Sequence, residues 1–535
     1  MCSSVLSGAR SSGVQATFQT FKLAGLGRLW GSLSSHTVAL GSVRARRSMS
    51  GMKRIIIIGG GITGLACAHR LIELSKGTAA EFDVTVLEAS SRLGGTIQTE
   101  HRDEFLLEHG PDSFISEKPE ALELVKRIGL ESQLIETNKK HRRSFIVRNG
   151  RLRPVPEGFQ LLGPSRLWPF VTSDIFSWTG KARMALDLLL PRGNTNQNID
   201  ESLAQFVRRR LGREALERMA QPMVAGIYTA DPERLSLRAT MPRFLEMERT
   251  DRSVILGMLK RAGTQDKAET NGTSGARYSL FLSFNRGMQT LVDELSLRLP
   301  QESVQLNARV GSLRLDRSSG GWLVNTESGV CIRADAVCIA LPTYAAAQLL
   351  QETDSNLSEE LKSISYASTA TVNLAYYRGD IPHPLDGFGF VVPFIEKRSL
   401  IACTFSSIKF SGRAPNGSVL LRAFVGGALQ PDMFVLDELR LLQLVQADLR
   451  ELLGIEKAPL FSKVIRWPRS MPQYEIGHLD RVQRIENHLI QLPTLKLAGN
   501  AYRGAGIPDC IRSGEKAAAA LSSFLETEVI QNRER

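Results

Sequence analysis

An α/β fold organised on a parallel sheet is what this sequence predicts, and three observations predict it. Arg54 to Ile58 is a short, continuous apolar and β-branched run bounded by glycines, as in a strand buried on both faces. Leu65, Ala68 and Ile72 follow at helical spacing, so the glycines between them fall at a strand-to-helix turn. "FDVTVLEA", Phe82 to Ala89, then alternates as a second strand.

The turn holds a Gly-x-Gly-x-x-Gly at Gly59, Gly61 and Gly64, with Gly60, Ile62 and Thr63 between them. On its own this match is weak. Inside a strand, turn, helix, strand unit it has a physical reading: glycines for a tight turn and close backbone approach, and a helix N-terminus for a pyrophosphate. Glu88 closes the second strand 24 residues after Gly64, where an acid takes ribose hydroxyls and repels a 2′-phosphate, which disfavours NADP. The unit is a Rossmann-type nucleotide-binding domain. At the far end, "LKLAGNAYRGAGIPDCIRSGEKAAAAL" (Leu495 to Leu521) reads as a strand, a glycine-rich loop and a helix opening with small residues. "VQLNARVGSLRLD" and "ADAVCIALPTYAAAQLL" are expected as strands of the same domain, which is therefore discontinuous in the chain.

Composition narrows the rest. A chain of 535 residues, 42% hydrophobic, is long enough for roughly two or three domains with their own cores. The longest nearly apolar run, Ile55 to Ala68, is shorter than the ~20 residues of a membrane helix and is broken by glycines. Cys2, Cys67, Cys331, Cys338, Cys403 and Cys510 show no metal or redox spacing, and the eight histidines show no pairing, so we expect a reducing compartment and no metal. Cys331 and Cys338 read as small buried hydrophobes. The net charge is +12, but residues 1–52 carry six basic residues and no acid, and without them 61 basic residues face 55 acidic ones. The body is mildly basic and lacks an aromatic-basic cluster, so no nucleic-acid partner is expected. Residues 1–52 have two readings. Their Ser and Arg content, with Val14, Phe18, Phe21 and Leu26 near helical spacing, fits a mitochondrial transit peptide; the other reading, the one favoured here, is an upstream-extended start before Met49 or Met52.

After Glu88 comes "ASSRLGGTIQT", with Arg92, Gly94 and Gly95, and then "EHGPDSF" from Glu108. A second glycine pair beyond the acid resembles the flavin amine oxidase superfamily, and the resemblance implies FAD. It places Ala89, Arg92, Gly95, and then Gly110, Pro111, Asp112 and Ser113, at the cofactor together with the first glycine turn and Glu88. It also implies that the backbone of Val310 meets the adenine, and that Trp467, Gly499, Ile507, Pro508 and Asp509 lie along the flavin.

From about Lys53 to about Leu525 the chain resembles one family closely, the porphyrinogen oxidases of haem synthesis. The resemblance is carried in order by "GPDSFISEKPEALELVKRIGL", "RNGRLRPVPEG", "GKARMALDLLLP", "PMVAGIYTADPERLSL", "SVILGM", "SFNRGMQTLVDEL", "DGFGFVVP", "LLRAFVGG", "RWPRSMPQYEIGH" and "GIPDCIRSGEKAA". It implies an oxygen-dependent flavoenzyme passing six electrons from a porphyrinogen to dioxygen with hydrogen peroxide as product. It also implies a mixed α+β substrate domain and a helical lid or membrane-association region beside the FAD domain. We divide the chain accordingly: 53–122, 280–345 and 485–530 for FAD, 130–245 helical, 246–279 and 346–484 for substrate.

Residue by residue, Gly226 matches a glycine whose backbone faces the macrocycle, Phe424 an aromatic stacked on a pyrrole, and Val391 and Thr404 two positions that are leucines in the plant mitochondrial type. Ser144 stands where that type has a propionate-holding arginine; here Arg142 and Arg143 come one and two residues earlier, and a strand would turn them the other way. That departure, with "GIPDC", "MPQY" and "GPDSF", resembles the bacterial branch, for which coproporphyrinogen III with its four propionates is the expected substrate and protoporphyrinogen IX the alternative. No side chain stands out as an acid or base catalyst. Cytoplasmic location, peripheral on the inner face of a membrane, is expected, with the mitochondrion if residues 1–52 are a transit peptide.

The region from Glu157 to Gly193 interleaves Leu, Phe, Trp168 and Trp178 with Arg166, Lys181 and Arg183, which fits either a membrane-lipid contact or a lid with a buried face. Ala262 to Ser279 is expected as an insertion without a role. Two other classes stay in view: an amine oxidase or carotenoid desaturase of the same superfamily, and a flavin-free scaffold. Cys510, ahead of "IRSGEKAA", follows the porphyrinogen oxidase pattern rather than that of a covalent flavin link. No oligomeric state follows from the sequence.

Overall fold

The computed structural model describes residues 52–76, 81–160, 162–193, 200–265, 281–316, 318 and 320–534. The expectations for residues 1–51 and for most of the 262–279 insertion lie outside the described residues.

Along the chain, Lys53–Ile58 (β1) leads through the glycine turn into Ile62–Ser75 (α1) and on to Phe82–Leu87 (β2). A hairpin follows, Thr99–Arg102 (β3) and Phe105–Glu108 (β4), and later a second, Phe145–Arg148 (β5) and Arg151–Pro154 (β6). Residues 162–265 are mainly helical and include Gln221–Tyr228 (α2), entered through a π-helical turn at Leu216–Ala220 and starting with Pro222 in its first turn. Then come Val304–Gln305 (β7), Ala336–Ile339 (β8), Tyr366–Tyr377 (β9), Gly389–Val391 (β10), Ala402–Phe405 (β11), Ser418–Gly426 (β12), Phe461–Pro472 (β13), Leu495–Leu497 (β14) and Ile507–Glu534 (α3).

The central sheet is parallel in the order β7-β2-β1-β8-β14, with Ile55 beside Ala336 and Val84 in register. Ile55 to Ile58 of β1 and all of β8, at the sheet's centre, are buried on both faces, as continuous apolar strands require. Helices α1 and α3 cover one face together, and a Cβ at Gly514 would stand 2.2 Å from the Thr63 carbonyl oxygen, so the two helices meet backbone to backbone. The expected strand in "ADAVCIALP" is central, as β8. The one in "VGSLRLD" is not: Val310–Asp316 folds into a separate antiparallel meander with Gly321–Thr326 and Cys331–Ala334. Cys331 lies exposed in that meander, unlike the buried hydrophobe expected, because its side of the short strand has no layer over it; Cys338 is buried as expected.

A seven-stranded sheet, β13-β9-β12-β11-β10-β5-β6, makes the second layer. It is antiparallel except where β5 runs parallel to β10. One face packs Val372, Phe390, Cys403, Ala423 and Val425 into a core of its own against the helix Glu438–Leu453. The other face turns toward the nucleotide domain.

Candidate flavin and substrate site

The predicted nucleotide loop is built as its glycines demand. Gly59 has φ +110°, and a Cβ at Gly64 would stand 2.0 Å from the Gly59 carbonyl oxygen, so neither position admits another residue without rebuilding the turn. The Glu88 carboxylate accepts from the Gly60 amide at 2.7 Å and from the Ser90 amide and hydroxyl at 2.8 and 2.7 Å. Gly94, with φ +105°, donates its amide to the Gly60 carbonyl at 2.9 Å, which draws the second glycine pair against the first loop. The Arg92 guanidinium donates to the carbonyls of Leu93, Gly95 and Ile97, so it braces this loop from within. Ala308 donates to the Glu88 carbonyl, bringing Val310, two residues on, to the same end of the sheet.

The C-terminal segment arrives beside this loop. Gly499, at φ +144°, follows β14, and Ile507 and Pro508 open α3, whose N-terminal end sits next to that of α1. Asp509 reaches back to the Gly506 amide at 3.3 Å and is held by Lys118 Nζ at 2.5 Å and by Arg512. Its carboxylate is thus occupied within the protein, as a helix cap and ion pair, and what this turn offers a ligand is backbone amides and the positive end of a helix. Burial pushes the Cys510 thiol up to about 12.

The space between suits a cofactor. The nearest atom to a Cβ built on Gly61 is Gly95 Cα at 3.9 Å, and nothing lies within 4 Å of one built on Gly499. These glycines border open room at the ends of two helices, which a dinucleotide would fill.

The loop Glu108 to Ser113 runs from this space to the face of the large sheet. Gly110 fits there only as glycine, since a Cβ would stand 1.7 Å from the Thr96 carbonyl oxygen. The His109 carbonyl accepts from Trp467 Nε1 at 3.0 Å, from Arg422 Nη2 at 3.1 Å and from Thr371 Oγ1 at 3.4 Å; Arg422 Nη2 also donates to the Gly110 carbonyl. Past Pro111, Asp112 pairs with Lys409 Nζ at 2.9 and 3.0 Å and accepts from Ser113 Oγ at 2.7 Å. Burial raises that carboxyl, but Lys409 and Arg422 more than offset it and hold it well below the usual carboxylate range.

Register puts the predicted substrate residues together. Val391 pairs with Ala402, which pairs with Phe424; Thr404 pairs with Arg422, and Trp467 with Thr369. Val391, Thr404, Phe424 and Trp467 therefore share one face, where they are half-buried, while the alternate-face neighbours of the first three are fully buried. A Cβ on Gly226 of α2 would come 3.7 Å from Val391 Cγ1, so the helix backbone lies against that face. Ser144, Arg142 and Arg143 precede β5 rather than alternate within it; Arg143 is paired with Asp386 and Arg142 lies 3.8 Å from Glu136. The alternation expected for them thus begins only at Phe145.

Sequence reading missed Lys409, Arg413 and Arg422. Arg422 left a signal: one arginine inside a nine-residue strand, SVLLRAFVG, is tolerated in a core only when its donors are satisfied.

Residues 62–522 match the family described as flavin containing amine oxidoreductase. The chain is 36% identical to the coproporphyrinogen III oxidase of Bacillus subtilis over 476 residues, 89% of this chain and 99% of that one. The chain belongs to the porphyrinogen oxidase family of flavoenzymes. It is also 30% identical to the chloroplastic protoporphyrinogen oxidase of Nicotiana tabacum, over 88% of this chain and 85% of that one. A crystal structure described as a protoporphyrinogen oxidase from Exiguobacterium superposes with a TM-score of 0.77 at 32% identity, covering 89% of this chain and all of that one. UDP-galactopyranose mutase, at 15% identity and a TM-score of 0.67, shares the fold. FAD is the cofactor of a porphyrinogen oxidase of this family, and the residues around Gly61, Gly95 and Gly499 fit it. Among the described residues no group of His, Cys, Asp and Glu could hold a metal ion, and no helix is long and apolar enough to cross a membrane.

Proposed function

We propose that this chain oxidises coproporphyrinogen III to coproporphyrin III, the electrons passing through FAD to dioxygen, with protoporphyrinogen IX as the alternative substrate. The likeness to a coproporphyrinogen III oxidase along 99% of that protein carries the choice. Bound FAD supplies the two-electron acceptor for each of three successive oxidations, giving one hydrogen peroxide per step. The chain's own residues place and shield the substrate. Gly226 lets the α2 backbone approach the macrocycle, and Phe424 offers a ring for a pyrrole to stack on, in an offset geometry of the kind aromatic pairs prefer. Val391 extends an apolar wall that excludes water, and Thr404 adds a hydroxyl to it. Trp467, Arg422 and Thr371 fix the His109 carbonyl and with it the Gly110–Ser113 loop against the flavin.

Anaerobic mixing tests the reading. Coproporphyrinogen III should bleach the flavin faster than protoporphyrinogen IX, with porphyrin fluorescence on admitting air. The reverse order makes protoporphyrinogen IX the substrate, and bleaching by amines alone makes the chain an amine oxidase.

A peripheral membrane contact is a second reading, favoured by one surface. Trp168, Trp178 and Leu189 are 76, 73 and 74% exposed, with Leu167, Val171 and Leu186 near them in sequence; Arg166 precedes them, while Lys181 is buried, its Nζ 4.4 Å from the Trp178 ring centroid and donating to the Val171 and Ser173 carbonyls. Exposed aromatic and aliphatic anchors beside Arg166 suit an anionic lipid interface, which would place the enzyme on the cytoplasmic face of a membrane. Co-sedimentation with anionic vesicles should fall when Trp168 and Trp178 are both changed to Ser.

A further inference from the structure

Five ionisable side chains meet in the buried seam between the 108–113 loop and the large sheet. Lys409 holds Asp112 and lies 3.2 Å from Ser113 Oγ. Ser283 Oγ donates to the Asp112 carbonyl at 2.7 Å and accepts from Arg413 Nη2 at 2.9 Å; Arg413 also donates to the Phe284 carbonyl at 2.8 Å. Arg422 grips the carbonyls of His109 and Gly110. Glu108 accepts from the Met288 amide and Thr99 Oγ1, each at 2.8 Å. Three cations thus face two carboxyls, so the seam carries a surplus positive charge even with both carboxyls ionised, and burial favours the neutral form of Glu108. Two orphans lie beside it: Arg422 Nε, and both amide atoms of its cross-strand neighbour Asn373, which is fully buried.

A buried surplus of charge is costly unless an anion completes it. The loop that carries this surplus, Gly110 to Ser113, is the one assigned above to the flavin, and the positive end of α3 faces the same space. We propose that the Lys409, Asp112 and Arg422 cluster is the fixed counter-charge of the reduced flavin and raises its reduction potential. In each oxidation a hydride would leave a bridge carbon with both bonding electrons and a second hydrogen would pass to water as a proton, from a pyrrole nitrogen in two of the oxidations and from a bridge carbon in the other, while bound neutral flavin would gain one hydrogen and one negative charge. Dioxygen then takes the two electrons with that hydrogen and one solvent proton, leaving as hydrogen peroxide. The negative charge exists only in the reduced state, so a positive environment favours that state selectively. This inference rests on the flavin reading of the site.

The test is an anaerobic potential titration of substrate-free holoenzyme, followed by flavin absorbance, for wild type, Lys409→Met, Lys409→Arg and Asp112→Asn. Lys409→Met should weaken binding of reduced relative to oxidised FAD about tenfold, a midpoint about 30 mV lower. Asp112→Asn should shift it the opposite way, which general loosening of the site does not do, and Lys409→Arg should stay within about threefold of wild type by the same measure. If Lys409→Met fails to fold, the sign of the Asp112→Asn shift decides alone. Equal midpoints in flavin-loaded variants, or shifts of the same sign, overturn the counter-charge and leave the flavin site standing. A raised KM for porphyrinogen with an unmoved midpoint assigns the cluster to a substrate carboxylate and also overturns it. A wild-type chain that takes up no FAD overturns both.

Discussion

The Glu88 carboxylate lies 2.7 Å from the Gly60 amide, joining the end of β2 to the glycine turn after β1. Its other oxygen takes the amide and hydroxyl of Ser90, so one side chain ties the glycine turn to the loop that follows β2. Glu88→Ala should weaken FAD binding about 10- to 100-fold, the equivalent of about 1.5–3 kcal/mol for a charged hydrogen bond. Flavin fluorescence released on dilution measures it, with Gly60→Ala as a second probe because a Cβ there would stand 2.5 Å from Leu93 Cδ2 and 3.1 Å from Glu88 Cβ.

Gly514 is where α3 meets the backbone of α1. Because its added Cβ would meet the Thr63 carbonyl oxygen at 2.2 Å and the Cys67 amide at 3.1 Å, both backbone atoms, no side-chain rotation relieves the clash. Gly514→Ala should destabilise the protein by about 2 kcal/mol or more. Thermal unfolding should show a lower midpoint in the absence of added FAD, and excess FAD should recover part of it by mass action.

The parts legible in advance are those whose cause is local. β1 and β2 show as apolar runs, Gly59 and Gly94 show because a turn of that shape needs their backbone freedom, and Gly64 shows because the turn passes too close to it for a Cβ. The large sheet is hard to read because its order follows long-range pairing: the β5–β6 hairpin, in a stretch read as helical, joins it only through the parallel contact of Phe145 and Ile146 with Phe390 and Val391. The charged seam, beyond the lone arginine Arg422 in its apolar strand, is hard to read for the same reason. Lys409 and Asp112 are 297 residues apart, and Arg422 and His109 are 313 apart, and no periodicity in either stretch points to the other.

Gly226 offers a direct probe of the substrate wall. Its Cβ position is 3.7 Å from Val391 Cγ1, ordinary contact distance, so an added methyl fits and a larger side chain does not. Gly226→Ala should keep most activity. Gly226→Leu should fill the face in front of Val391 and raise KM for coproporphyrinogen at least about tenfold, some 1.4 kcal/mol, with flavin content unchanged. Equal KM for the two variants would remove α2 from the substrate wall.

Glu108 makes stability depend on pH in a known direction. Its side chain is buried, and burial raises its pKa from 4.5 to about 7 although the Met288 amide, Thr99 and Arg413 all favour the ionised form. A carboxyl with a folded pKa above its unfolded one binds more protons in the native state, so stability falls as pH rises. The contribution is fully present below about pH 4.5, declines through the window up to about 7, and is lost above it. A difference of that size corresponds to about 3 kcal/mol. Urea unfolding at pH 5 and pH 8 should therefore show a larger loss across the window for wild type than for Glu108→Gln, which keeps the shape of the carboxyl and cannot ionise. The hydrogen bonds act the other way at high pH, since Gln offers one acceptor where the ionised carboxylate offers two, so the gain of Glu108→Gln at pH 8 should be smaller than the full desolvation cost. A wild type whose loss across this window is no greater than that of the variant would show that Glu108 ionises freely in the folded protein.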